Sequence, residues 1–393
     1  MAKNQTERTY LDYNASVPLL DDARAVMIEV LGSFGNASSV HFEGREFRKA
    51  VENARQHVGE LVGANANQII FTSGATESAT HALSPILRAG GHDIGISTLY
   101  VSAVEHPCVF SGGRFSAQNV RILPVTEGGV LDLDALREAM RSHDHTNGAA
   151  MVAVMLANNE TGIMNPIEDI SQIVREYGAY LMVDAVQAVG KVPVSVSELG
   201  AHFVIVSSHK LGGPQGVGAL ILGDPSLSPL PLLRGGGHEN FQRAGTENVA
   251  GIAGFGAACE WQVANAGGAD FVVDLRDKIE SGVKEIALEA GNSIAQPVIF
   301  GESERRLGNT ACFAQAGVSA ETALISLDLD GISVSSGSAC SSGKVKRSSV
   351  LEAMGVDDEL SASALRISLG WQSNDHDTTK FLDAWKKLVQ RAA

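Results

Sequence analysis

The 393-residue sequence lacks several features that mark secreted and membrane-bound proteins. Its first residues contain no apolar stretch of the kind that a secretory signal requires. Its longest segment without Asp, Glu, Lys or Arg covers 16 residues, at positions 61–76, whereas ~20 apolar residues are needed to cross a bilayer. It has only four cysteines, whose spacing matches neither a CxxC pair nor a disulfide framework: Cys108, Cys259, Cys312 and Cys340. These absences predict a cytoplasmic protein with no membrane partner.

Positive charge is scarce as well. The chain has 30 Lys and Arg against 45 Asp and Glu, which gives a formal net charge of −15. Because an acidic surface repels phosphate backbones, we expect no direct binding to nucleic acid. Hydrophobic residues nevertheless make up 44% of the chain, enough for a sizeable core, and the length suggests two domains.

Short apolar runs alternate with helical patterns over the first two thirds of the chain. The spacing of apolar residues predicts a helix over 42–62 that ends at Gly63. The strand-like runs are IIFT (69–72), AAMVAVMLA (149–157), AYLMV (179–183), FVIV (203–206) and GALIL (218–222). Runs that are apolar throughout and separated by helices indicate a largely parallel sheet buried on both faces, and hence an α/β fold.

The pattern changes after about residue 265. Longer helices are predicted at roughly 270–289, 320–328 and 375–391, with strands at TACFAQA (310–316) and LRISL (365–369). We therefore expect a large α/β domain over 16–264 and a smaller α+β domain over 265–393. Residues 1–15 are expected to join the smaller domain through the strand-like YLDYN segment (10–14).

Polar residues follow the apolar runs at the edge where a parallel sheet binds its ligands. Gly74-Ala75-Thr76 follows the first run and would open a helix, which offers backbone N–H groups to an anion, although for this turn alone ordinary N-capping by Ser73 or Thr76 is the better explanation. Asp184 and Lys210 follow two later runs. A carboxylate facing a pyridine nitrogen and a lysine holding an aldehyde are the pair that pyridoxal phosphate requires.

At this point the motifs carry a family resemblance that runs in order along nearly the whole chain. They are YLDYNASVPL (10–19), GNASSVHFEGR (35–45), TSGATES (72–78), VEHPCV (104–109), NNETG (158–162), VDAVQAVGK (183–191), SSHKLGGPQGVGAL (207–220), RAGTENVAGI (243–252), SSGSACSSG (335–343) and LRISLG (365–370). The sequence resembles class V, fold type I pyridoxal-phosphate enzymes, and among them the NifS/IscS-like group I cysteine desulfurases. The resemblance implies a large domain with a mainly parallel seven-stranded sheet and a smaller α+β domain.

The resemblance also implies how the cofactor, pyridoxal 5′-phosphate, would be held. Lys210 would bind it covalently, Asp184 would face its ring nitrogen, Gln187 its ring hydroxyl, and His106 would stack on the ring. The phosphate would lie among Ala75, Thr76, Ser207 and His209. Thr246 would reach the phosphate of the partner subunit, which implies a homodimer.

The substrate of such an enzyme would be L-cysteine. Asn159 would lie near the ring hydroxyl and the substrate, while Arg366, together with Asn14, would bind the substrate carboxylate. A guanidinium group suits bidentate recognition of a carboxylate. Lys210 would remove the α-proton, and His106 would assist proton transfer at the substrate thiol.

Cys340 is the residue expected to carry sulfur away as a persulfide. It lies in a Gly/Ser-rich segment followed by the basic residues of KVKR (344–347), a setting that favours the thiolate. The segment resembles the longer loop of group I members, which implies delivery to a distant acceptor such as an iron–sulfur scaffold, with Cys340 as a transient shared cluster ligand. No intrinsic metal site is expected. The other three cysteines lie in more apolar contexts and are expected to be small buried hydrophobes.

Two alternatives remain at this point. Another class V enzyme, such as a selenocysteine lyase or a small-amino-acid aminotransferase, would share the cofactor residues. A non-catalytic sulfur carrier or scaffold-binding relative would not need them, and the joint presence of Lys210, Asp184 and Cys340 argues against it.

Overall fold

The computed structural model describes residues 8–266, 270–291, 294–337 and 347–392. The α-helices in these ranges are α1 (Asp21–Leu31), α2 (Phe42–Val62), α3 (Ala75–Ala82), α4 (Pro107–Phe110), α5 (Leu133–Arg141), α6 (Ile167–Glu176), α7 (Val196–Leu199), α8 (Val249–Ala264), α9 (Asp270–Glu289), α10 (Ala320–Leu329), α11 (Ser349–Ala353), α12 (Asp358–Ser361) and α13 (Asp375–Ala392). The helices predicted at 42–62, 270–289, 320–328 and 375–391 are therefore confirmed. Within the described ranges, no helix is both long and apolar enough to cross a membrane.

The strands follow the apolar runs closely. They are β1 (Thr9–Tyr10), β2 (Ile69–Thr72), β3 (Ile86–Ala89), β4 (His92–Ser102), β5 (Val120–Leu123), β6 (Ala149–Met155), β7 (Tyr180–Asp184), β8 (Phe203–Ser207), β9 (Gly218–Leu222), β10 (Leu227–Pro229), β11 (Val298–Ile299), β12 (Thr310–Ala314), β13 (Ile332–Ser333), β14 (Ser335–Ser336) and β15 (Ala364–Ser368). Strands β6, β7 and β8 are buried along almost their whole length, as expected of central strands covered by helices on both faces.

A large sheet forms the centre of the molecule and confirms the α/β fold class. Its order is β10-β3-β4-β6-β7-β8-β9-β2, with β5 also paired to β4. Strands β5, β4, β6, β7 and β8 run parallel, whereas β3, β10, β9 and β2 attach through antiparallel pairs.

One detail of the predicted sheet, the number of strands, is wrong. The described part of the sheet has nine strands rather than seven, because β3 and β10 extend one edge. The GALIL run (β9) is antiparallel to its neighbours. The connection from Ser207 to Gly218 contains no α-helix, and a parallel return usually needs a longer crossover, so the chain turns straight back.

Helices α2 and α8 pack against each other on one face of this sheet. A Cβ atom on Gly256 of α8 would lie only 2.5 Å from the Cα atom of Ala54 in α2, so a glycine is required at this crossing. Helix α2 ends at Gly63, whose φ of 64° is the left-handed conformation that terminates many helices. Gly256 thus allows two helices to pack closely, whereas Gly63 provides the backbone conformation that ends one of them.

A second, four-stranded antiparallel sheet has the order β11-β12-β15-β14. Its core includes the edge-to-face pair Phe313 and Trp385, with ring centroids 5.2 Å apart. The N-terminal segment lies against this region: β1 pairs in parallel with β13, and Asp12 forms a bridge with Ser368 of β15. This pairing carries residues 12–16 across to the ends of the large sheet.

Candidate active site

A cavity of about 530 Å³ lies at the edge where β2, β6, β7 and β8 all end. Ligands of open α/β sheets bind at this edge because the connections that leave the strand ends diverge there. Eleven of the residues singled out in the sequence line the cavity: Asn14, Ala75, Thr76, His106, Asn159, Asp184, Gln187, Ser207, His209, Lys210 and Arg366.

One end of the cavity suits an anion. Helix α3 begins at Ala75 directly after β2, and no side chain caps it at Gly74. The first N–H groups of an α-helix have no partner within the helix, so they point at the cavity with the positive end of the helix dipole. A Cβ atom on Gly218 would lie 2.8 Å from the Cα atom of Gly74, so only a glycine at position 218 lets these two backbone segments approach so closely.

The imidazole of His209 lies on the same side, with Nδ1 3.3 Å from the Ser16 hydroxyl. Burial, together with the nearby Lys210 ammonium, lowers the pKa of His209 to about 4. The ring is therefore neutral near pH 7 and acts as a hydrogen-bonding group rather than as a charge.

Asp184 is the last residue of β7, and its carboxylate is almost completely buried, with 5% exposure. One carboxylate oxygen accepts the N–H of Val186 at 2.9 Å. Burial raises the pKa of Asp184 to about 6, and the Val186 N–H and the Lys210 ammonium oppose this rise. A cation bound beside this carboxylate would lower the pKa again and be held by it.

The Lys210 ammonium donates to the backbone carbonyls of Asn14 at 2.5 Å and Ala15 at 2.8 Å. Both acceptors belong to the N-terminal segment that crosses to the sheet edge. The amine of Lys210 and the carboxylate of Asp184 therefore line one cavity.

His106 caps helix α4, and its Nδ1 accepts the backbone N–H of Cys108 at 3.2 Å. The Cys108 sulfur lies 3.0 Å from the same nitrogen. Burial, with a smaller effect of Lys210, lowers the pKa of His106, so the ring is neutral near pH 7. Because Nδ1 accepts a hydrogen bond, the ring proton is on Nε2.

Arg366 lies in the middle of β15 and is one of the largest fully buried side chains, at 2% exposure. Its Nη1 donates to the Asn159 carbonyl at 2.9 Å, and its Nη2 to Asp12 Oδ1 at 2.7 Å. Its Nε is buried and has no hydrogen-bond partner among the residues that the structure describes. A buried donor of this kind points to a missing acceptor, and a carboxylate supplies one.

Asn14 connects these groups. Its side-chain oxygen accepts from Lys191 at 2.8 Å and from Asn309 at 3.1 Å. Its side-chain nitrogen donates to the Thr310 hydroxyl at 2.9 Å and to the Asn159 carbonyl at 3.3 Å. The side chain is thus already hydrogen-bonded on all sides, which favours a supporting role over direct substrate binding.

Two predicted residues do not belong to this group. Thr246 lines a smaller neighbouring cavity of about 90 Å³, together with Glu239, Arg243 and Glu247, and this cavity shares Ser73 and Gly216 with the main one. Cys340 lies outside the described residues.

Cys108 corrects an expectation. Cys259 and Cys312 are completely buried in the core as expected, but Cys108 is only partly buried and lines the main cavity beside His106. Its position two residues after His106 in the VEHPCV motif could have indicated that it lies at the cavity, but its apolar neighbours favoured a core position.

Sequence reasoning also missed two titratable groups beside the cavity, of which Glu160 is buried and Lys191 is partly buried. Glu160, in the NNETG motif, accepts a hydrogen bond from the Ser348 hydroxyl at 2.5 Å, and burial raises its pKa to about 7. Lys191, at the end of VDAVQAVGK, donates to Gln187 as well as to Asn14. Both residues lie in motifs that carry the family resemblance, so their positions could have marked them as site residues, but the resemblance assigned neither of them a role.

These groups fit pyridoxal phosphate. The cavity offers a helix N-terminus for a phosphate, a buried carboxylate for a protonated ring nitrogen and an amine for an aldehyde. The fold and this donor set together define a fold type I pyridoxal-phosphate enzyme.

The chain belongs to the aminotransferase class-V family, whose model matches residues 9–381. It is similar to the cysteine desulfurase IscS of Dictyoglomus turgidum, with 38% identity over 387 residues that cover 97% of this chain and 94% of the relative. It is also similar to a cysteine desulfurase of Cereibacter sphaeroides, with 37% identity, 98% coverage of this chain and 96% of the relative.

Solved structures agree with this assignment. A NifS-like protein from Rickettsia africae has a TM-score of 0.80 and 28% identity, covering 97% of this chain and 99% of its own. A protein named SspA, solved in complex with cysteine, has a TM-score of 0.71 and 25% identity, covering 92% of this chain and 98% of its own.

Proposed function

We propose that the chain is a pyridoxal-phosphate-dependent cysteine desulfurase that converts L-cysteine to L-alanine and transfers the sulfur to Cys340 as a persulfide. The observation that carries this proposal is one cavity lined by a buried carboxylate, Asp184, a lysine amine, Lys210, and a buried guanidinium, Arg366. The 38% identity to a cysteine desulfurase over nearly the full length supports the choice of reaction.

The cofactor residues divide by chemistry. The N-terminus of α3 at Ala75 and Thr76, with Ser207 and His209, would hold the phosphate. Asp184 would keep the ring nitrogen protonated, Gln187 would bind the ring hydroxyl, and His106 would cover the ring. When bound, the cofactor withdraws electrons from the substrate α-carbon, which makes the α-proton acidic.

The substrate would be oriented by Arg366, whose pairing with Asp12 and with the Asn159 carbonyl fixes the guanidinium plane. The Lys210 amine would take the α-proton. His106 carries its proton on Nε2, so this nitrogen can donate a proton or a hydrogen bond at the substrate, while Nδ1 stays bonded to Cys108.

Sulfur transfer needs a nucleophile, and Cys340 is the proposed one. Its thiolate would form an S–S bond with the substrate sulfur as the C–S bond breaks. The electron pair of the broken bond would stay on the substrate carbon, which takes up a proton to give alanine. The outgoing sulfur would remain on Cys340 for an acceptor such as an iron–sulfur scaffold protein.

The assembly is proposed to be a homodimer in the cytoplasm, with Thr246 reaching the partner's phosphate site. Near Thr246, the backbone of Glu239, Asn240 and Phe241 has φ values of 47°, 52° and 66°. Non-glycine residues rarely adopt this conformation, and such strain tends to occur at functional segments. The Phe241 side chain is 75% exposed, which suits contact with a second subunit. The division into 16–264 and 1–15 with 265–393 likewise remains our proposal.

Mass spectrometry of the cofactor-loaded enzyme after incubation with L-cysteine tests the proposal. We expect one added sulfur on Cys340, and alanine formed in proportion to sulfide when a reductant is present. Cys340→Ala should keep the visible absorption of the cofactor and lose sulfide release, whereas Cys259→Ala, a core control, should retain both. Full activity of Cys340→Ala, or keto-acid-dependent amino transfer without sulfur release, contradicts the proposal.

A further inference from the structure

Lys191 lies beside the cavity without lining it. Its ammonium donates to Gln187 Oε1 at 2.7 Å and to Asn14 Oδ1 at 2.8 Å, and both of these residues line the cavity. The side chain belongs to the turn that follows β7, where Gly190 has a φ of 77°. A Cβ atom on Gly190 would lie 2.6 Å from Leu211 Cδ2, so the tight turn depends on glycine and directs the next residue toward the site.

These two hydrogen bonds fix the orientation of the side-chain amides of Gln187 and Asn14. Both amide oxygens accept from the Lys191 Nζ, so both amide nitrogens point away from it. The Gln187 nitrogen accordingly donates to the Asn14 carbonyl at 2.9 Å, the same carbonyl that accepts from Lys210. One hydrogen of the Gln187 amide nitrogen is left over for a group inside the cavity.

The surroundings of Lys191 are unusual for a lysine. Burial, and then the positive charges of Lys210 and Arg366, hold the pKa of Lys191 well below its ordinary value. Keeping such an amine out of water is costly. A lysine that served only to cover the surface would extend into solvent instead.

We propose that Lys191 is a positioning residue of the active site, which orients the Gln187 amide so that its N–H end faces the ring hydroxyl of the cofactor. This inference rests on the proposed function. A donor at that position stabilises the deprotonated ring oxygen, so it favours the form of the bound cofactor that has lost a proton. Removing Lys191 frees the amide to rotate and weakens this donor.

The test is a pH titration of the visible absorption of the purified, cofactor-loaded enzyme without cysteine. For Lys191→Met we expect the titration midpoint to rise by about one pH unit, a tenfold change in proton affinity. Lys191→Arg keeps donors at the site and should restore most of the wild-type midpoint. Lys386→Met, at an exposed surface ion pair with Glu289, is the matched control and should leave the midpoint unchanged.

The other titrating and charged groups around the cavity are kept in all these variants: Asp12, Glu77, Glu105, His106, Cys108, Glu160, Asp184, His209, Lys210 and Arg366. A double-mutant cycle then separates orientation from general damage. Gln187→Leu should raise the midpoint by itself, and adding Lys191→Met should raise it no further.

Several outcomes overturn the inference. The inference is wrong if cofactor-loaded Lys191→Met has the same titration midpoint as the wild type. It is also wrong if the midpoint shift of the double mutant is the sum of the shifts of Gln187→Leu and Lys191→Met. If Lys191→Met does not fold, Lys191→Gln, which keeps one donor, takes its place, with a smaller shift expected and an unchanged midpoint again contradicting the inference. Failure of the proposed function looks different: the wild-type enzyme itself would then show no cofactor absorption or release no alanine from cysteine.

Discussion

The two walls of the main cavity are built in different ways. On the large sheet, each functional group stands at or just beyond the end of a strand: Asp184 ends β7, Ser207 ends β8 and Lys210 follows three residues later. On the four-stranded sheet, Arg366 stands in the middle of β15, opposite Cys312 of β12 and Ser335 of β14. The first wall consists of residues at strand ends, whereas the second consists of one side chain from the middle of a buried strand.

The electrostatics of the two walls differ accordingly. The Asp184 carboxylate is stabilised only by a backbone N–H and by the Lys210 ammonium, which do not offset its burial. A cation bound beside it would therefore stabilise it further. Arg366 is already paired with Asp12 from the N-terminal segment. We therefore expect the strand-end wall to control the chemical step and the Arg366 wall to control substrate binding.

The largest effect is expected on the strand-end wall. Lys210→Ala removes the proposed proton acceptor and covalent anchor, so kcat for alanine formation should fall roughly 10³-fold, within the usual range for an acid–base group. Alanine release and the cofactor absorption of the same sample provide the measurement. A kcat within tenfold of the wild-type value would contradict the expectation that the strand-end wall controls the chemical step.

Arg366→Lys tests the other wall. The variant keeps the positive charge but loses the planar fork, so KM for cysteine should rise about 10- to 100-fold, the equivalent of one or two charged hydrogen bonds. Steady-state kinetics should show a much smaller change in kcat. A fall in kcat with an unchanged KM would move Arg366 into the same functional group as Lys210.

Glu160 joins the two walls, since it follows β6 and accepts a hydrogen bond from Ser348 at the start of α11. Its pKa is raised to about 7 by burial, so the folded protein holds this proton more tightly than the unfolded chain does. The resulting stability is present below about pH 4.5 and is lost as the pH rises through about 7.

The full loss is of order 3 kcal/mol, given about 1.4 kcal/mol for each pKa unit between 4.5 and about 7. Glu160→Gln keeps an acceptor for Ser348 and removes the titration. Urea denaturation of the cofactor-free protein should therefore lose less stability between pH 5 and pH 7.5 in the variant than in the wild type. Parallel pH profiles for the two proteins would contradict the assignment.

The smallest expected effect concerns His81 of α3, behind the anion end of the cavity. It is completely buried, and burial lowers its pKa to about 4. Neither ring nitrogen has a hydrogen-bond partner within the described part of the chain. His81→Leu removes two unsatisfied polar atoms, so we expect the free energy of unfolding at pH 7 to rise by about 1 kcal/mol. A loss of stability in thermal or urea unfolding would show that the ring has a polar role.

Much of the large sheet could be predicted from the sequence because its signals are local. A run of apolar residues becomes a buried strand, a polar residue after it stands at the sheet edge, and Gly63 ends a helix by its own backbone conformation. The grouping of Asp184 with Lys210 needs only the assumption that β7 and β8 are parallel neighbours, which they are.

The rest depended on contacts between distant parts of the chain. The Asn14 carbonyl meets Gln187 and Lys210, which lie 173 and 196 positions away, and Arg366 meets Asp12 across 354 positions. No local pattern encodes such pairs. They exist because β1 crosses to β13 and brings the N-terminal segment against the sheet edge.

The sequence by itself determined the class of fold and the identity of the groups at the strand ends, since these follow from periodicity and motif order. Only the tertiary structure decided that β9 turns back antiparallel, that Cys108 faces the cavity, that Thr246 lines a smaller neighbouring one, and that Lys191 supports the main cavity. The physical reason is that strand direction, side-chain orientation and buried hydrogen-bond networks are set by packing between segments far apart in the chain.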